Sequence, residues 1–139
     1  MLNMFWNSWG GVEKIQAYKN IKEINYRLFF SDKTISKYGR ILNGNIQDEL
    51  EENISSKGYV VSTLEAVMWL FLNSNDYNET ILKAVNLGED TDTIGAIVGG
   101  WLGIYYGIDT IKAHWKQQLK KVCYIMELCE KFDNLEIWR

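Results

Sequence analysis

Apolar side chains recur at every third or fourth position along most of this chain, and proline, which would interrupt that pattern, is absent from all 139 residues. Val12, Ile15, Tyr18, Ile21, Ile24 and Leu28 form the first such series. That spacing predicts one face of an amphipathic helix over roughly 12–30. Average usage would supply about seven prolines here, so their absence suits a helical chain. Strand-like alternation is confined to Gly58 to Val61. The expectation is an all-α fold in a single domain, 1–139, since one domain typically takes ~100–200 residues.

Punctuation along the chain divides it further. Ser31 to Thr34 breaks the first helix, and a weaker one is expected over Ile35 to Leu42. Asn45 can cap a third helix in which Ile46, Leu50 and Ile54 align, with Asp48, Glu49, Glu51 and Glu52 as a solvated outer face. Ser62 and Glu65 read as a capping box before Ala66 to Leu72, a stretch apolar nearly all round and therefore central. Asp76 and Glu79 repeat the capping pattern, and Gly88 supplies a stop. Ile94 to Tyr106 then forms a helix striped by Gly95, Gly99 and Gly103, with Ala96 and Gly100 beside them, a pattern suited to close approach of another helix. Gly107 ends it, and Ile111, Trp115, Leu119, Val122, Met126 and Cys129 mark one last long helix.

Composition excludes several functions. Fifteen Lys and Arg against 18 Asp and Glu give a net charge of −3, which does not suit a nucleic-acid binder working through bulk positive charge. Six Trp, eight Tyr and five Phe exclude a disordered acidic tail. No run reaches the ~18–20 apolar residues of a membrane span. The start, Met1 to Gly11, lacks the basic and apolar regions of a signal peptide. Cys123 and Cys129, six apart, are expected to be reduced, buried thiols. A cytoplasmic location follows as an expectation. His114 reads as a surface residue, and no nucleophilic triad, phosphate loop or zinc spacing is present.

Two segments carry chemistry. Gly88-Glu89-Asp90-Thr91-Asp92-Thr93 lies between a helix end and a helix start. Its two carboxylates and adjacent hydroxyl are hard oxygen donors suited to Mg²⁺ or Mn²⁺. The competing reading is a helix cap, with Asp92 or Thr93 accepting the first N–H groups and Asp90 favoured by the dipole. An EF-hand fails, because Trp101 occupies the twelfth place from Asp90. Ser56-Lys57-Gly58-Tyr59-Val60-Val61 leads into the central helix. Its N–H groups could hold phosphate and Tyr59 could stack on a base or ribose. An ordinary turn with a packed Tyr is the alternative.

Three blocks together resemble the C-terminal part of the ADP-ribosylglycohydrolase family: Gly58 to Ala66, Ala84 to Thr93, and Gly95 to Gly100 followed by Tyr105-Tyr106-Gly107. The resemblance covers Gly39 to Phe132. It implies a compact orthogonal helical bundle, truncated relative to the family, and a binuclear magnesium or manganese centre. The activity implied is removal of ADP-ribose from modified protein side chains or related conjugates. Asp90 and Asp92 match catalytic positions. Asp90, Asp92 and Thr93 match metal ligands. Ser56, Gly58, Tyr59 and Val60 match the segment lining the ADP-ribose pocket.

Departures from the family pattern bear on activity. Glu89 stands where glycine is usual. The family's Thr-Asp-Asp metal motif does not occur in these 139 residues, nor does its glycine-rich, Gly-Asp-containing motif. The expectation is therefore a hydrolase that needs a homodimer or a separate N-terminal chain to complete its site. The alternative is an inactive fragment that binds ADP-ribose or serves as a structural module. Met1 to Trp6, with Trp9, is the stretch expected to cover an apolar face or meet a partner.

Overall fold

The computed structural model describes residues 13–134; the stretch Met1 to Trp9 lies outside them. The described chain is all-α, and no strand occurs among its residues. Eight α-helices follow one another: α1 (Lys14–Glu23), α2 (Asp32–Ser36), α3 (Gly39–Leu42), α4 (Val60–Leu72), α5 (Tyr77–Asn86), α6 (Thr91–Tyr106), α7 (Ala113–Gln118) and α8 (Val122–Asp133). Short 3₁₀ turns join several of them.

α4 is central, as its all-round apolarity predicts. The run from Glu65 to Phe71 is buried without a break. α6 lays Ile94, Val98 and Leu102, spaced at i+4, into the same core. α5 lies against α6 where the glycine stripe permits it. A Cβ on Gly99 would stand 3.2 Å from Ile81 Cδ1 and 3.5 Å from Tyr77 Oη. Only part of the stripe serves that purpose, because Gly100 and Gly103 face no atom within 4 Å.

α1 is clasped to this core by a buried lysine. Lys14 Nζ donates to the carbonyl and hydroxyl of Ser74 and, at 2.8 Å, to Tyr106 Oη. It also lies 4.8 Å from the ring centres of Tyr105 and Tyr106. That geometry lets the rings and oxygens replace water around a buried side-chain nitrogen. Tyr18 adds a second tie, donating to the Ile41 carbonyl at 2.6 Å.

Several boundaries differ from the sequence pattern. α1 stops at Glu23, and Tyr26–Leu28 forms a 3₁₀ turn instead of continuing the helix. The Ile35 to Leu42 segment divides between α2 and α3. Ile46–Asp48 and Glu51–Asn53 are two 3₁₀ turns, not one helix, with extended backbone at Glu49 and Leu50 between them. The acidic run does form an outer face, with Asp48, Glu51 and Glu52 exposed, while Glu49 is half-buried and pairs with Arg40 at 3.4 Å.

The Ser62–Glu65 capping box does not form. α4 begins two residues earlier, and Glu65 turns inward to meet Arg40 Nη1 at 2.7 Å. The Asp76 cap does form, its Oδ1 accepting from the N–H groups of Asn78 and Glu79. The last long helix breaks into α7 and α8, with Lys121 left-handed at the break. Cys123 and Cys129 are exposed, not buried, because α8 buries no residue. Among the described residues no helix is long and apolar enough to cross a membrane.

Candidate metal and ligand site

Two loops meet at the N-terminal end of α6. One is the Ser56–Tyr59 stretch that enters α4. The other is the Leu87–Asp90 turn between α5 and α6. Local chemistry shapes the second loop: Gly88 at φ +87° and Glu89 at φ +53° are successive left-handed residues, and they reverse the chain sharply after α5. Left-handed backbone is where glycine is at ease, which gives a physical reason for glycine to be the usual residue at the Glu89 position.

Backbone bonds stitch the loops together. The Ser56 hydroxyl donates to the Leu87 carbonyl at 3.2 Å, and the Asp90 N–H donates to the Ser56 carbonyl at 3.2 Å. Ser56 is buried and thereby fixed. Gly58 then lies against the Asp90 side chain: an added Cβ would be 3.2 Å from Oδ2, a tight contact that the carboxylate would have to yield to by a few tenths of an ångström. At the other oxygen of that carboxylate, Thr93 Oγ1 donates to Asp90 Oδ1 at 2.7 Å.

Asp90 occupies the N-cap position of α6, yet its side chain accepts no capping bond from the backbone. The capping role expected of Asp92 or Thr93 is not filled by them either. Asp92 stands exposed in the first helical turn, where the helix dipole favours a negative charge. Tyr59 and Val60 are exposed at the start of α4, and Tyr59 bonds its N–H to the Lys57 carbonyl at 2.6 Å. The structure thus joins Ser56, Asp90 and Thr93 by hydrogen bonds and sets Gly58 against Asp90, with Asp92 lying between Asp90 and Thr93 in sequence. His114 is exposed beside Trp115, as its surroundings suggest.

Two carboxylates and a hydroxyl are hard oxygens of the right kind for a divalent ion. Among the described residues, no three His, Cys, Asp or Glu side chains come together as a metal-binding group. Asp90 and Asp92 therefore suit one Mg²⁺ that keeps several waters, since such ions are commonly held by one or two carboxylates. They fall short of a set for two ions.

Helices packed on a central α4, with the Asp90 carboxylate at a helix start against Gly58 of a second loop, define an all-α domain. The chain belongs to the ADP-ribosylglycohydrolase family, whose profile matches residues 10–138. It is 35% identical over 92 residues to the ADP-ribosylarginine hydrolase Tri1 of Pseudomonas putida, a match covering 66% of this chain and 25% of that protein. The ADP-ribosyl-[dinitrogen reductase] glycohydrolase of Rhodospirillum rubrum is 33% identical over 46% of this chain and 22% of its own length. The mouse ADP-ribosylhydrolase ARH3 is 24% identical over 88% of this chain and 34% of its own length. The matched part thus spans about a quarter of the first two of these relatives.

Proposed function

We propose that this chain supplies the metal-side half of an ADP-ribosyl hydrolase site, acting on ADP-ribosylated protein side chains with a homodimer partner or a separate N-terminal chain completing it. The supporting observation is the bonded union of the Ser56–Tyr59 loop with Asp90, which brings that loop directly beside the Asp90 carboxylate. The similar proteins, hydrolases of ADP-ribosyl groups, suggest the substrate class.

In this reading Asp90, Asp92 and Thr93 would hold a Mg²⁺ or Mn²⁺ ion. When bound, such an ion would supply charge stabilisation at substrate oxygens and lower the pKa of a bound water. The chain's own residues do the positioning. Thr93 fixes the Asp90 carboxylate by its hydrogen bond, and the absence of a side chain at Gly58 leaves that carboxylate its place. Gly58 lets the loop backbone come close to Asp90, and Tyr59 offers an exposed ring on which a base can stack. Asp92 is the carboxylate with most freedom to accept a proton from an attacking water.

A second reading, a domain that binds ADP-ribose without cleaving it, is favoured by the short ligand count. Calorimetric titration with ADP-ribose, with and without Mg²⁺, separates the two when paired with a hydrolysis assay on ADP-ribosylated arginine. Binding strengthened by Mg²⁺ and lost in the Asp90→Asn/Asp92→Asn variant supports a working half-site. Binding without turnover, alone or with a partner chain, selects the second reading. No heat at millimolar ligand from the folded protein sinks both.

A further inference from the structure

α8 is a helix of 12 residues with none buried. Val122, Ile125, Met126 and Cys129 fall at intervals of three and four and share one side of it. On that side Ile125 and Met126 are exposed large apolar residues, and Leu128, also exposed, lies off its edge. At about 18 Å the helix offers three turns of such surface.

Its charges run against its own dipole. Lys120 and Lys121 stand at the N-terminal end, while Glu130 and Asp133 stand at the C-terminal end. A lone helix favours the reverse arrangement. Lys131 does not correct this, because it is engaged by Glu127 at 2.6 Å. Cys129 lies within the apolar side, whereas Cys123, six residues earlier, is rotated about 120° from it.

We propose that a second copy of this chain covers the apolar side of α8, with the two α8 helices antiparallel. In that orientation the lysines of each copy meet the acidic end of the other, at both ends of the contact. A parallel pairing would set like charges together. The reversed charge order, unfavourable in one helix, becomes complementary in two.

The test is sedimentation of the full chain across the micromolar range, with far-ultraviolet dichroism to confirm folding. The expected result is a dimer. Ile125→Asp should give a monomer. Lys120→Glu/Lys121→Glu should weaken association by about tenfold or more. Adding Glu130→Lys/Asp133→Lys to that variant should restore the dimer, because both ends are then exchanged. A short bis-maleimide should link copies through Cys129, so that Cys129→Ser loses the link and Cys123→Ser keeps it. A monomer at every concentration, or a dimer indifferent to these substitutions, overturns the proposal. Neither result depends on ADP-ribose.

Discussion

Gly58 and Asp90 belong to different loops, yet a methyl group on Gly58 would sit 3.2 Å from Asp90 Oδ2. The carboxylate is held at its other oxygen by Thr93 Oγ1 at 2.7 Å, so it can yield only by straining that bond. Gly58→Ala should therefore fold with a stability loss below about 1 kcal/mol, as expected at an exposed loop. Its Mg²⁺-assisted affinity for ADP-ribose should fall by about tenfold, because ligand groups lose function when displaced by fractions of an ångström. Parallel thermal melts and calorimetry separate the two effects. Unchanged affinity would remove the carboxylate's placement from the binding argument.

Glu89 bears a side chain at φ +53°, a backbone region that places Cβ against the following carbonyl. Glu89→Gly should stabilise the protein by about 1 kcal/mol, read from urea midpoints. Glu89→Ala makes the sharper comparison. Alanine also removes the carboxylate but keeps the Cβ, so it should recover little of that gain. Equal stabilisation by both would trace the effect to charge instead of backbone strain.

Ala66 to Leu72 was legible as the fold's centre because burial there follows directly from apolarity all round the helix, whereas the sequence marked Ile94 to Tyr106 by its glycines and not by the Ile94, Val98 and Leu102 that the core takes. The boundaries were less legible for a physical reason: tertiary partners overrode local signals. Glu65 looked like a capping residue until Arg40, distant in sequence, supplied a charge for it inside the fold. The Asn45 to Ile54 stretch had helical spacing, but the Trp69 indole claims the Glu49 carbonyl at 2.9 Å and Arg40 claims the Asn53 carbonyl at 3.2 Å, and the backbone opens into two turns. At the site, Asp90 and Thr93 could be named from sequence, whereas the Ser56–Leu87 and Ser56–Asp90 bonds could not, since nothing in a linear pattern joins those loops.

Arg40 and Glu65 make a further test. Glu65 is buried, while Arg40 is half-buried and reaches it at 2.7 Å. Arg40→Ala leaves a carboxylate inside the fold without its partner, a change that should lower stability by about 2–3 kcal/mol in urea unfolding. Arg40→Met with Glu65→Leu should recover most of that loss, because the double change removes the uncompensated charge. A double variant no better than Arg40→Ala would show that packing of the arginine stem, and not the stranded carboxylate, dominates.

Asp76 gives a pH signature. The Glu79 N–H, 2.9 Å from its Oδ1, and then the Asn78 N–H at 2.8 Å favour the ionised form and lower its pKa from 3.8. The native state therefore holds this carboxylate ionised more firmly than the unfolded chain does. Its contribution is fully present above 3.8 and is lost as pH falls through the lowered native value. The melting-temperature gap between wild type and Asp76→Ala should be constant through neutral pH and narrow in acid below that point. Asp76→Asn keeps an acceptor for the helix start but cannot ionise, so its gap to Asp76→Ala should stay level across the same range. A wild-type gap that does not narrow in acid would assign the cap to hydrogen bonding alone and leave its charge without a role.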